Sequence, residues 1–104
     1  MKINPAIIAT VLLAAAAATG PAAHAQDSST VRGMAATCAN CHGTEGRSVG
    51  AMPGLAGVDK GYMAQQMKDF KAGKRPATVM HQLAKGFSDE QIEQLAAYFA
   101  AQKK

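Results

Sequence analysis

The stretch TCANCHG, Thr37 to Gly43, contains the only two cysteines of the 104-residue chain, and a histidine follows the second cysteine directly. Two thiols at this spacing fit four kinds of site: a disulfide, part of a zinc site, a thioredoxin-like redox pair, or the covalent attachment of a c-type haem. The choice depends on the compartment, on the fold around the motif, and on whether a second metal ligand is available.

The N-terminus has the layout of a secretory signal peptide. Lys2 supplies a positive charge, the uncharged run AIIATVLLAAAAATG follows, and Ala-His-Ala at 23–25 places small residues at the cleavage positions. The alternative is an uncleaved anchor, but the run is shorter than the ~20 residues that a membrane span needs. We therefore predict a cleaved signal peptide over 1–25, a working domain over 26–104 without a membrane anchor, and a periplasmic location.

Charge and composition limit the partners and the class of protein. The formal net charge is +4 and falls to +3 without Lys2, and no dense basic run is present, so we expect no nucleic-acid partner. A surplus of this size suits weak steering toward an acidic protein. The chain makes one small domain without tryptophan, and a bound prosthetic group commonly supplies the apolar contacts that so small a core lacks.

The sequence from the end of the predicted signal peptide to Gly73 predicts two helices joined by a loop. Apolar residues recur at i, i+3, i+4 and i+7 from Val31 to Cys38, which predicts a helix that runs into the cysteine motif. Gly33 interrupts this helix, and we expect another helix to cross close to it. A glycine-rich loop is expected over 43–57. A second helix follows, with Met63, Met67 and Phe70 on its inner face and Gly73 at its end.

The last element is predicted to be an amphipathic helix that begins after Ser88. Ser88 is the expected N-cap and Gln91 occupies the capping-box position. The loop before it, KRPATVM, has room for one short helix. No strand pattern occurs after residue 25, so the predicted fold class is all-α. The apolar stripe of the last helix is Ile92, Leu95, Ala96 and Phe99.

The motif C-x-x-C-H in this all-α setting favours covalent haem attachment. Cys38 and Cys41 would form thioethers with the two vinyl groups of one haem, and His42 would bind the iron through Nε2. The other kinds of site fit less well. A thioredoxin-like pair requires a βαβ context, and no strand pattern occurs here. A structural zinc site needs about four ligands, and this motif supplies at most three. A disulfide across two residues would be strained and would leave His42 without a role.

Haem iron has a second axial position, and a methionine there raises the reduction potential. Met80 is the best candidate, because it lies in or beside a loop and far enough from His42 to reach the opposite face. His81 would give a bis-histidine site instead, and we interpret it as facing solvent. Methionines on helices are more often packing residues. The other methionines of the predicted mature chain are Met34, Met52, Met63 and Met67.

Three stretches resemble the small class I cytochromes c of bacteria: CANCHGTEGRSVGAMPGLAG, YMAQQMKDFKAGKRPATVM and AKGFSDEQIEQLAAYFAAQ. The chain is most similar to the monohaem cytochrome subunit of flavocytochrome c sulfide dehydrogenase, and also to one half of the tandem dihaem cytochromes c. Its single attachment motif differs from the tandem form. The resemblance implies a class I cytochrome c fold whose helices and loops wrap around one covalently bound haem c.

The resemblance also implies roles for individual residues. Met80 matches the distal iron ligand, and Pro53 matches the proline whose carbonyl accepts a hydrogen bond from the proximal histidine, here His42. Gly33 and the pair Tyr98 and Phe99 match the crossing of the first and last helices.

The expected function is the transfer of single electrons, with no catalytic site in this chain. By resemblance, the chain would be the electron-accepting subunit of a sulfide dehydrogenase, with an exported FAD flavoprotein or a soluble electron acceptor, or both, as partners. The alternative is a free-standing shuttle that donates to a terminal oxidase or another reductase. If Met80 does not bind, an open site for a small ligand remains.

Several surface and lining residues complete these expectations. Leu55, Met63, Phe70 and Val79, with the last helix, would exclude water from the iron. Arg75 is a candidate partner for a haem propionate. A docking patch for a protein partner would be rimmed by Lys60, Lys68, Lys71, Lys74 and Lys85.

Overall fold

A computed structural model describes residues 28–104, and the predicted signal peptide over 1–25 lies outside the described residues. Helices α1 to α4 span Ser28–His42, Lys60–Lys71, Met80–Lys85 and Asp89–Ala100, and a short 3-10 turn covers Thr44–Gly46. No strand occurs in this part of the chain, which confirms the all-α prediction. Within the same residues, every helix is too short or too polar to span a bilayer.

Helix α4 forms the centre of the core, as its sequence predicts. The Ser88 hydroxyl accepts a hydrogen bond from the Gln91 backbone N–H at 3.1 Å, and Oε1 of Gln91 accepts one from the Ser88 N–H at 2.8 Å. This capping box satisfies two donors that a helix start leaves unpaired. All four residues of the predicted stripe are buried, at 0 to 3 % exposure: Ile92, Leu95, Ala96 and Phe99.

Helix α2 packs against α4, and local contacts define both of its ends. The Asp59 carboxylate caps its start by accepting the Tyr62 N–H at 2.8 Å. Gly73, with φ of +72°, lies in the left-handed region just past its end. Met63 is buried and Met67 packs against the core, so this methionine stripe serves packing as predicted.

Helix α1 packs against α4 through Ala35, which is 3 % exposed. The prediction for Gly33 is wrong: this glycine is exposed, and a Cβ atom added to it would meet nothing within 4 Å. Ala35 lies two residues further along a helix of about 3.6 residues per turn, and therefore on a different face. The ring of Tyr98 meets that of Phe99 edge-on, with centroids 5.2 Å apart.

Candidate haem-attachment site

The cysteine motif occupies the last turns of α1. Cys38 is half-buried and packs against the core, Cys41 is exposed, and neither is bonded to the other. Their separation of three residues places both thiols on one side of the helix. His42, the last helical residue, is only 8 % exposed. The helix therefore presents two neighbouring thiols and a buried imidazole at one end.

The His42 imidazole is held by the loop that follows. Its Nδ1 lies 2.7 Å from the carbonyl oxygen of Pro53. A carbonyl only accepts hydrogen bonds, so Nδ1 is the donor, and in the neutral imidazole Nε2 then carries the lone pair. Histidines that bind metals commonly donate their other ring N–H in this way, and the bond raises ligand basicity. The donor set therefore fits a haem bound through two thioethers and one imidazole.

The electrostatics of Cys38 differ from those of a redox-active thiol. Burial raises the pKa of the Cys38 thiol, and a hydrogen bond with Thr37 opposes that shift. Reactive cysteines in redox pairs instead have lowered pKa values and exist largely as thiolates. This environment, in a region built of helices, disfavours the thioredoxin-like alternative. The described residues also contain no cluster of three or more His, Cys, Asp or Glu able to hold a metal ion such as zinc.

The methionines occupy different environments. Met34 and Met67 pack against the core, Met63 is part of it, and Met52 is 44 % exposed in the loop before Pro53. Met80 is half-buried and is the first residue of α3, at the boundary with the preceding loop. Met80 therefore remains the candidate for the distal ligand.

His81 differs from its sequence-based interpretation. It was expected to face solvent, but it is half-buried, and its Nδ1 is buried without a hydrogen-bond partner among the described residues. Helix α3 begins at Met80, one residue before His81, and packs against α2. Sequence period alone does not reveal this burial, because α3 has only six residues and less than two full turns.

The predicted apolar lining is only partly packed within the polypeptide. Leu55 packs against the core and Phe70 is half-buried, whereas Val79 is 54 % exposed. Two further apolar residues near these positions in the chain are exposed and were not predicted. Tyr62 is 58 % exposed and Leu83 is 50 % exposed. Apolar side chains of this size fit contact with an apolar macrocycle better than contact with water.

The predicted docking lysines are mostly paired within the molecule. Nζ of Lys68 lies 2.6 Å and that of Lys60 lies 4.0 Å from the Glu93 carboxylate, and Nζ of Lys71 lies 2.9 Å from Asp89. These pairs connect α2 to α4 and partly neutralise the proposed patch. Lys74 and Lys85 form no ion pair in the described part of the chain.

Arg75 has contacts of its own. Its guanidinium lies 4.6 Å from the centroid of the Phe70 ring and donates a hydrogen bond to Gln66. The pairing of Arg75 with a haem propionate stays a prediction.

Comparison with known proteins identifies the class. The family model for cytochrome c matches residues 30–103. Cytochrome c4 of Pseudomonas aeruginosa is 42 % identical over 86 residues, covering 82 % of this chain and 43 % of that protein. The cytochrome subunit of sulfide dehydrogenase of Chlorobaculum tepidum is 41 % identical over 66 residues, 64 % of this chain and 60 % of that one. The chain thus spans about half the length of these relatives.

A solved structure shares the architecture. The structure of cytochrome c4 from Acidithiobacillus ferrooxidans superposes with a TM-score of 0.59 at 41 % identity, covering 62 % of this chain and 37 % of that one. A cytochrome c domain carries haem c covalently, and Cys38 and Cys41 fit that attachment. The helical architecture, the family match and the cysteine motif agree, and this chain belongs to the cytochrome c family.

Proposed function

We propose that this chain is exported to the periplasm and accepts single electrons from a separate FAD flavoprotein that oxidises sulfide. The family match shows that this chain is an electron carrier of the cytochrome c class. The similarity to a cytochrome subunit of sulfide dehydrogenase, at 41 % identity, supports the narrower role. The N-terminal pattern that predicts a signal peptide supports export.

Four residues would hold the haem. Cys38 and Cys41 would form the thioether bonds, His42 would bind the iron on one side, and Met80 would bind it on the other. The haem would supply an iron that changes its oxidation state by one electron. The observation that supports His42 as a ligand is the 2.7 Å contact between its Nδ1 and the Pro53 carbonyl, which leaves Nε2 of the neutral imidazole available to bind.

The polypeptide would hold the His42 and Met80 side chains in place while a bound haem gained or lost an electron. The His42 ring is buried at a helix end and fixed by Pro53, so it has little freedom to rotate. Met80 lies at the start of a helix that packs against α2. Fixed ligands keep the change in geometry small when the charge of the site changes, which lowers the barrier to electron transfer. Cys41 is exposed, so a partner can approach the attachment side of the site.

A free-standing electron shuttle is the second candidate function. The similarity to cytochrome c4, at 42 % identity and covering 82 % of this chain, supports it. The two functions differ in one measurable property, the persistence of a complex with a flavoprotein.

The test uses the full chain expressed together with an exported FAD flavoprotein that oxidises sulfide, in cells that mature c-type cytochromes. Co-purification of FAD and haem in a fixed ratio, with haem reduction by sulfide only when the flavoprotein is present, supports the subunit role. A haem protein that elutes alone and is reduced equally slowly with and without the flavoprotein contradicts it and favours the shuttle. Purified protein without covalent haem contradicts both.

A further inference from the structure

The loop that carries Pro53 is closed at its base by a single residue. The carbonyl oxygen of Gly46 accepts hydrogen bonds from the backbone N–H groups of Leu55, at 2.8 Å, and of Ala56, at 3.1 Å. These three residues are called the loop base below. Pro53 lies two residues before Leu55, so the loop base limits where its carbonyl can lie.

The rest of this loop has little packing to hold it. Val49 is fully exposed, Met52 is 44 % exposed, and Pro53 itself is exposed. A Cβ atom added to Gly50 would meet nothing within 4 Å. Among contacts within the described polypeptide, those of the loop base are therefore the ones that position the Pro53 carbonyl against His42.

The loop base is in turn seated on α4. Gly46 is buried, and a Cβ atom added to it would lie 2.8 Å from Cβ of Leu55 and 2.9 Å from both the Ala56 nitrogen and Cδ1 of Phe99. Its φ of +77° is in the left-handed region, which disfavours any residue with a side chain. One residue beyond the loop base, the Gly57 N–H donates to the Phe99 carbonyl at 2.9 Å.

We propose that Gly46 is a positioning residue for electron transfer: by closing the loop against Phe99 it holds the Pro53 carbonyl on His42 Nδ1 and so sets the donor strength of the imidazole. This inference rests on the proposed role of His42 as an iron ligand. An imidazole whose N–H is hydrogen-bonded to a carbonyl is a stronger donor. A stronger donor stabilises the more highly charged ferric state, and therefore lowers the reduction potential.

The Gly46→Ala substitution tests this chain of contacts. The added methyl group displaces Leu55 and Ala56 from Gly46, which lengthens or breaks the hydrogen bond between His42 and Pro53. We expect the midpoint potential of the haem-loaded protein, measured by equilibrium redox titration, to move to a more positive value. The His42 Nδ1–H proton, observed by NMR in the ferrous protein, should exchange faster with solvent.

The matched control is Gly73→Ala. Gly73 has nearly the same backbone angle, φ of +72°, but a Cβ atom there would meet nothing within 4 Å. The Gly73→Ala substitution therefore imposes the same backbone strain without contacting the loop that carries Pro53. We expect this variant to lose thermal stability while its potential and its His42 proton exchange remain those of the wild type.

A second variant covers the case in which Gly46→Ala does not fold. Gly57→Ala, at φ of +69°, strains the backbone whose N–H donates to the Phe99 carbonyl and so loosens the seat of the loop base on α4. Its added Cβ would mainly meet the flexible Lys104 side chain, so we expect a smaller shift of the same sign. A potential that is unchanged or more negative in the Gly46 variant, or in the Gly57 variant where that one alone folds, overturns the inference. Absence of covalent haem in the wild type would instead refute the proposed site.

Discussion

Nζ of Lys68 on α2 lies 2.6 Å from Oε1 of Glu93 on α4, and this pair connects the two helices that form most of the core. The hydrogen bond from Lys68 lowers the pKa of Glu93 below its ordinary value of 4.5. The same bond raises the pKa of Lys68 above 10.5. Both side chains are more than a third exposed, so the contribution to stability is small and sensitive to salt.

The pair predicts how stability depends on pH. Because the pKa of Glu93 is depressed in the folded state, its contribution is complete above pH 4.5 and is lost as the pH falls through the folded value. The raised pKa of Lys68 gives the mirror case, with a contribution lost only above pH 10.5. The Glu93→Gln variant should be less stable than the wild type at neutral pH, and the two should converge in acid.

The measurement is the free energy of unfolding by denaturant at a series of pH values. Glu90→Gln is the matched control, since Glu90 is an exposed carboxylate on the same helix without an ion pair among the described residues. Its curve should run parallel to that of the wild type. A constant offset for Glu93→Gln down to pH 2 would show that the ion pair is not the cause.

The Met80→Ala variant tests the distal ligand. We expect haem to remain attached through Cys38 and Cys41, while the weak long-wavelength absorption of ferric haem with a methionine ligand disappears. The reduction potential should fall, because methionine ligation raises it. A visible spectrum of the oxidised protein shows whether the long-wavelength band is lost, and Met52→Ala is the control. If the band survives in the Met80 variant and is lost in the control, Met52 is the ligand.

The capping box at the start of α4 gives a prediction about stability. Ser88→Ala removes the hydroxyl that accepts the Gln91 N–H and should lower the free energy of unfolding by about 1 kcal/mol. Ser88→Gly should lower it by only a few tenths of a kcal/mol, since glycine is a tolerated N-cap. Denaturant unfolding of the haem-loaded protein measures both. A Ser88→Ala variant as stable as the wild type would show that the cap contributes little.

The buried stripe of α4 gives a prediction about packing. Ile92 is 0 % exposed, and Ile92→Val removes one methylene from the core, which should lower the stability by about 0.5–1.5 kcal/mol. The control is Val49→Ala, because Val49 is fully exposed and such changes usually stay within about 0.5 kcal/mol. Thermal unfolding followed by circular dichroism compares them. An Ile92 variant as stable as the control would contradict this account of the core.

Helix period and capping chemistry predicted the parts of this fold that depend on neighbouring residues. The buried face of α4 and its capping box follow directly from the order of residues 88–99, and the Gly73 stop of α2 is equally local. The Asp59 cap of α2 is also local but was not predicted. Gly33 was misplaced because a close approach depends on where another helix lies, which sequence period does not encode. The cross-pairing of Lys68 with Glu93 was missed for the same reason.

The candidate site shows the same division. Cys38, Cys41 and His42 are recognisable because their chemistry requires adjacent positions. The contact between His42 and Pro53 spans eleven residues, and only resemblance to a family suggested it. The burial of His81 depends on the packing of α3 on α2, and no local pattern predicts it.

The exposed tip of the loop over 49–52 and the hydrogen bonds at its base differ in how freely they can vary. Side chains at the tip, such as Val49 and Met52, have few contacts with the rest of the described polypeptide. The hydrogen bonds at the Gly46 carbonyl would meanwhile keep the imidazole in place. If Gly46 tunes the imidazole as proposed, substitutions at the tip would leave that tuning unchanged, and the tip and base of one loop of about ten residues could vary independently.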